Sequence, residues 1–199
     1  MDDTRFPRTC PCRRTRRLAG VTLLEVMTAV LLGSTFMGMV ASVLLAGTRA
    51  TDAVVKESSA ASSLERTLET ITENLRRSST TRITITPDSG QNSILNLQVL
   101  SAADGVTWGA ERFDGTFVAD WSTTFQRSGT DLVRQTVDGM SSVVEQAVLA
   151  IGVQDPSGGQ GFEVTVTNSV YLTTLNLTKT FGPGESFERN SSASVFVRN

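Results

Sequence analysis

The chain has 199 residues, 39% of them apolar and 19% charged, with a formal net charge of −2 and a mean hydropathy of −0.03. That length allows one globular domain plus an appendage, and the composition excludes wholesale disorder, a polytopic membrane protein and a collagen-like fibre. Histidine is absent, so a Ser-His-Asp triad, a Cys-His pair, His-ligated zinc and His-ligated haem are all excluded.

The charge is unevenly placed. Residues 1–20 hold Arg5, Arg8, Arg13, Arg14, Arg16 and Arg17 against Asp2 and Asp3, a net of +4; the remaining residues carry 12 basic and 18 acidic groups, a net of −6. Both cysteines, Cys10 and Cys12, lie in this basic leader, too few ligands for a metal site, and nothing beyond it can form a disulfide. In Val21–Leu45 the only charge is Glu25, and Val26–Thr48 is an uncharged run of 23 residues. As a helix that run spans about 34 Å, enough for a hydrocarbon core of about 30 Å. Arginines in front of it predict a cytoplasmic N-terminus and an exported remainder. A removable secretory signal fits poorly, even with the Arg16-Arg17 pair, because the apolar run exceeds a typical signal core and the helical pattern continues past it. A plain anchor has no use for Glu25, since a charge in lipid is costly.

Past the span, Leu64, Leu68, Ile71 and Leu75 recur on one helical face, with Glu73 and Arg77 at a favourable i, i+4 spacing on another. The pattern predicts one helix from about Thr22 to Ser78, roughly 85 Å long. Its apolar part contains Gly33, Gly38 and Gly47, either tolerated small residues or points of close packing or bending.

From Thr80 the period changes to two. Arg82–Thr86, Leu95–Val99, Ser122–Arg127, Asp131–Val137, Val143–Val153, Phe162–Val166, Val170–Leu177 and Ala193–Val197 predict about six to eight short strands. Ser128-Gly129-Thr130 reads as a hairpin and Asp155–Gly159 as a loop. The expected class is α+β, a long N-terminal helix packed on one antiparallel sheet.

Catalytic chemistry is sparse. Asp104, Glu111, Asp114, Asp120, Asp131 and Asp138 are scattered in turn-rich sequence without EF-hand spacing. No spacing supports a glycosidase pair, and a serine or threonine nucleophile would have only Lys56 or Lys179 as base. Asn176 and Asn190 open glycosylation sequons, frequent by chance. Trp108 and Trp121 read as core or edge fillers rather than a ligand platform. The expectation is a protein that is not an enzyme, with no cofactor. Asp114 and Asp120 are the carboxylates a calcium site would use.

Gly20-Val21-Thr22-Leu23-Leu24-Glu25-Val26 behind an arginine-rich leader resembles the processing site of type IV pilins and type II secretion pseudopilins. The resemblance implies that prepilin peptidase cuts between Gly20 and Val21 and methylates the new Val21 amine. Val21 departs from the phenylalanine most common there. Glu25 becomes the fifth mature residue, and with Thr22, Leu23 and Leu24 it forms the assembly segment. Attraction between Glu25 and a neighbour's amine is several-fold stronger in a low-dielectric bundle than in water. It would offset the cost of placing either charge there.

The implied organisation is a removed leader at 1–20, a transmembrane and filament-core helix half at 21–48, an amphipathic half at 49–78 and a β-rich domain at 79–199. The Leu64–Arg77 pattern, the Leu132-Val133-Arg134 strand and the Gly139 turn resemble minor pseudopilins of the J class and minor pilins of the W class. That implies a single-pass subunit of the bacterial inner membrane, its globular domain periplasmic. It would join other minor and major subunits and the assembly platform in a pseudopilus or pilus, in a tip complex supporting protein secretion and touching secreted substrate. Two alternatives stand beside it. One is a pilin for adhesion or DNA uptake, although the net −6 argues against nucleic acid as a direct partner. The other is an exported binding domain on a signal anchor.

Overall fold

The computed structural model describes residues 21–88, 92–154, 161–182 and 185–198. The leader, with Cys10, Cys12 and Gly20, and the Asp155–Gly159 loop lie outside the described residues. The chain divides into two units, Met1–Ala50 and Thr51–Asn199.

A single helix, α1 (Leu23–Arg76), supplies all the described helix of the first unit and continues into the second. Alanine, leucine and methionine favour it, and no proline interrupts it. From Val21 to Ser59 every residue is exposed. In the second unit the expected stripe is buried: Leu64, Ile71 and Leu75 have no accessible surface, and Ala60 and Leu68 are nearly as enclosed. The helix stops two residues earlier than Ser78. There Ser78 donates its hydroxyl to the Gln98 carbonyl (2.7 Å), and Ser79 caps a 3₁₀ turn, Thr80–Arg82, by accepting from the Thr81 amide. Short hydroxyl side chains compete with the helix's own backbone bonds and end it. Arg77 therefore falls beyond the helix and pairs with Glu111 (2.7 Å); no ion pair with Glu73 forms among the described residues.

Eleven strands follow among the described residues, in three antiparallel sheets where one sheet of six to eight strands was expected. The first contains β1 (Ile83–Pro87), β2 (Ser93–Leu97), β6 (Ser122–Ser128), β7 (Asp131–Val137) and β8 (Val143–Ile151), in the order β1-β2-β6-β7-β8. The second is β3 (Val99–Leu100), β4 (Trp108–Glu111) and β5 (Phe117–Ala119). The third, ordered β11-β10-β9, contains β9 (Phe162–Thr167), β10 (Val170–Gly182) and β11 (Glu185–Phe196).

Leu95, Leu97 and Val99 keep one alternation and are all fully buried, yet the chain changes sheets between them. At Gln98 the amide donates to the Arg82 carbonyl and the side-chain Nε2 to the Trp121 carbonyl. Alternation fixes which face is buried but not which strand lies alongside. The second sheet was not anticipated, because strands of two to four residues are too short to show a period. Gly109 permits it: a Cβ there would run into the Val118 carbonyl oxygen. The β6–β7 hairpin forms where expected, with Gly129 at φ 64°. By contrast, β11 begins at Glu185, well before Ala193, because pairing with β10 carries it through Ser186–Ser192, polar except for Phe187.

One core joins these parts. The α1 stripe packs with Leu95, Leu97 and Phe125 of the first sheet and with Phe162, Tyr171, Leu175 and Val195 of the third. Asn92, fully buried, ties the two sheets: its Oδ1 accepts from the amides of Gly161 (2.9 Å) and Phe162 (3.2 Å), and next to it Ser93 Oγ accepts from Val164 (2.9 Å). A strand edge that would otherwise leave amides unpaired in the interior is satisfied by side chains.

Candidate functional site

The candidate site is the start of α1. Thr22 precedes the first helical residue, and its Oγ1 accepts from the Glu25 amide (3.2 Å). Glu25 Oε2 reaches back to accept from the Thr22 amide (3.1 Å) and hydroxyl (3.3 Å). This reciprocal capping box satisfies helix-start donors that have no partner within the helix, and it places a negative charge at the positive pole of the helix. The capping role was legible as Thr22-x-x-Glu25 before an apolar run, beside the assembly role that the resemblance implies for Glu25. Val21 before the box, and Leu23 and Leu24 within it, are 72%, 78% and 72% exposed. Gly20 lies outside the described residues.

The segment that follows conceals its polar groups. Every serine and threonine from Val26 to Thr48 donates to a carbonyl one turn back: Thr28 to Leu24, Ser34 to Leu31, Thr35 to Leu32, Ser42 to Met39 and Thr48 to Leu45, at 2.7–3.0 Å. With the backbone bonded within the helix, nothing in this stretch needs water, the condition a hydrocarbon environment imposes. Among the described residues this is one helix long and apolar enough to cross a membrane. A Cβ on Gly33, Gly38 or Gly47 would meet no atom within 4 Å, so these glycines serve no packing within the chain.

Several carboxylates of the globular unit are engaged in turns and ion pairs. Asp104 accepts from the Thr107 hydroxyl and from the amides of Val106 (3.0 Å) and Thr107 (3.1 Å), which hold its carboxyl well below the usual range. Asp114 accepts from the Thr116 amide (2.8 Å), which lowers its pKa, with a lesser contribution from Arg112 at 3.7 Å. Asp138 accepts from the amides of Met140 and Ser142. Asp120 sits at φ 63° in the turn before β6. Among the described residues no three Asp, Glu, Cys or His side chains gather as a ligand set, so no such group contains Asp114 or Asp120.

Sequence reasoning missed an ionic cluster over the first sheet. Arg112 pairs with Glu145 (2.6 Å), whose hydrogen bond and charge raise the arginine's pKa, and the Phe113 amide donates to the same carboxylate (3.0 Å). Arg134 donates to the Glu111 carbonyl (2.6 Å) beneath the Phe113 ring, and burial lowers its pKa. These residues join β4 and its following turn to β7 and β8, a pairing no local pattern encodes. Trp108 and Trp121 are half-buried, and the Arg82 guanidinium lies 5.8 Å from the Trp108 ring centre.

Compared with known proteins, the chain matches no family model, no curated protein and no solved structure.

Proposed function

We propose that this chain is a non-enzymatic filament subunit of the type IV pilin and pseudopilin class, cut by prepilin peptidase between Gly20 and Val21 and assembled through the segment Val21–Glu25. The observation that carries the reading is Glu25, a carboxylate closing the Thr22 cap at the head of a wholly exposed, self-satisfied apolar helix half. Cleavage would free an amine on Val21, next to the cap. In the lone subunit the Glu25 charge rests on the Thr22 amide and hydroxyl; in a filament a neighbour's amine would neutralise it. The globular unit lies outside the cytoplasm, opposite the arginine leader. Within the class, the Leu64–Arg77 pattern supports a minor subunit, in a tip complex with other subunits that serves secretion.

The test is the N-terminal peptide mass of membrane-derived protein, with and without active prepilin peptidase. The expected peptide begins at Val21, one methyl heavier and peptidase-dependent; an intact leader or a cut beyond residue 40 overturns the reading. Two variants separate the roles of Glu25. Glu25→Gln retains an acceptor for the cap but removes the charge, so it should leave the helix start intact and abolish assembly. A signal-anchored domain would tolerate both Glu25→Gln and Glu25→Ala.

A further inference from the structure

At the other end of α1 the globular unit holds an open cavity of about 610 Å³. Arginines enter it from separate stretches of chain: Arg76 from the last turn of α1, Arg77 from just beyond it, and Arg198 from just after β11. Among the described residues that line it there is no carboxylate. Arg77 is neutralised by Glu111, whereas Arg76 and Arg198 form no ion pair among the described residues. Arg76 also complements the negative pole of the helix; Arg198 has no such reason to be there. Asp104, the acid in the loop forming the rim, is occupied by Val106 and Thr107 of its own loop. Leu100, Ala102 and Trp108 give the lining an apolar wall.

We propose that this cavity binds an acidic peptide segment of a partner chain, its carboxylates on Arg76 and Arg198 and an apolar side chain against Trp108 and Leu100. Guanidinium groups match carboxylates with paired, parallel hydrogen bonds. Two further features favour a peptide. The cavity is far larger than a free phosphate, and its apolar wall would gain nothing from one. Nucleic acid is disfavoured because, among the described lining residues, two arginines are left for phosphates and the chain beyond residue 20 carries net −6. The inference does not depend on prepilin processing, and either can fail without the other.

The experiment uses the full chain in nonionic detergent, labelled with 5-fluorotryptophan, whose two fluorine resonances report Trp108 and Trp121 separately. A blocked peptide of alternating glutamate and leucine should shift the Trp108 signal in a saturable, salt-sensitive way and leave Trp121 unmoved. Arg76→Gln combined with Arg198→Gln, both at exposed positions, should weaken binding by about tenfold with an unchanged unfolding transition. No Trp108 shift, an equal shift from the glutamine version of the peptide or from inorganic phosphate, tighter binding of an oligothymidylate, or an unaffected double variant would each overturn the proposal.

Discussion

Two halves of one helix carry apolar side chains to opposite ends. From Leu23 to Ala50, α1 is exposed on every face; from Thr51 to Arg76 it buries one stripe and leaves its acidic face in water. Backbone geometry and hydrogen bonding are alike in both. The distribution of apolar side chains differs: all round in the first half, confined to one face in the second. A helix apolar all round must be covered by lipid or by other helices, whereas a stripe is satisfied by one sheet surface. The second half therefore draws its stability from tertiary packing, and the first depends on its surroundings.

The sharpest way to break that comparison is to remove matching side chains from the two halves. Leu64→Ala or Ile71→Ala should destabilise the globular unit by about 2–5 kcal/mol. Leu31→Ala and Leu32→Ala should leave its denaturant midpoint unchanged in detergent. Equal losses from both halves would mean that the exposed segment packs on the globular unit.

Asn92→Ala should cost about 1–3 kcal/mol by leaving the Gly161 and Phe162 amides buried without an acceptor. Faster exchange confined to those amides and β9 would locate the effect; an unchanged midpoint would show that water replaces the side chain.

A smaller effect of opposite sign is expected at Thr123 and Thr136, directly paired across β6 and β7, where both buried hydroxyls lack a partner among the described residues. Thr123→Val should leave stability unchanged or raise it by about 1 kcal/mol, read from the same denaturation curves. A loss would reveal a hydrogen bond to the hydroxyl.

The least effect is local. Asp104 has a carboxyl pKa held below its ordinary value of 3.8 in the folded chain. Its contribution is complete above the unfolded pKa and lost as the pH falls through the folded one. Asp104→Ala should therefore speed exchange of the Val106 and Thr107 amides at neutral pH, with the difference from wild type narrowing in strong acid. A pH-independent difference would assign the loop's order to its backbone alone.

The sequence by itself determined the apolar span, the buried Leu64–Leu75 stripe, the β6–β7 hairpin and, through Thr22 and Glu25, the start of the helix. These are set by periods or by contacts within a few residues, so composition and spacing report them directly. Only the tertiary structure decided that Leu95–Val99 serves two sheets, that the largely polar Ser186–Ser192 is strand, and that Arg77 leaves Glu73 for Glu111. It also brought Arg76 and Arg198 to one cavity although they lie far apart in sequence. The physical reason is common to all four. Strand partners and ion pairs between distant segments follow from which surfaces close around the shared core, while a local pattern specifies only which side of each segment faces it.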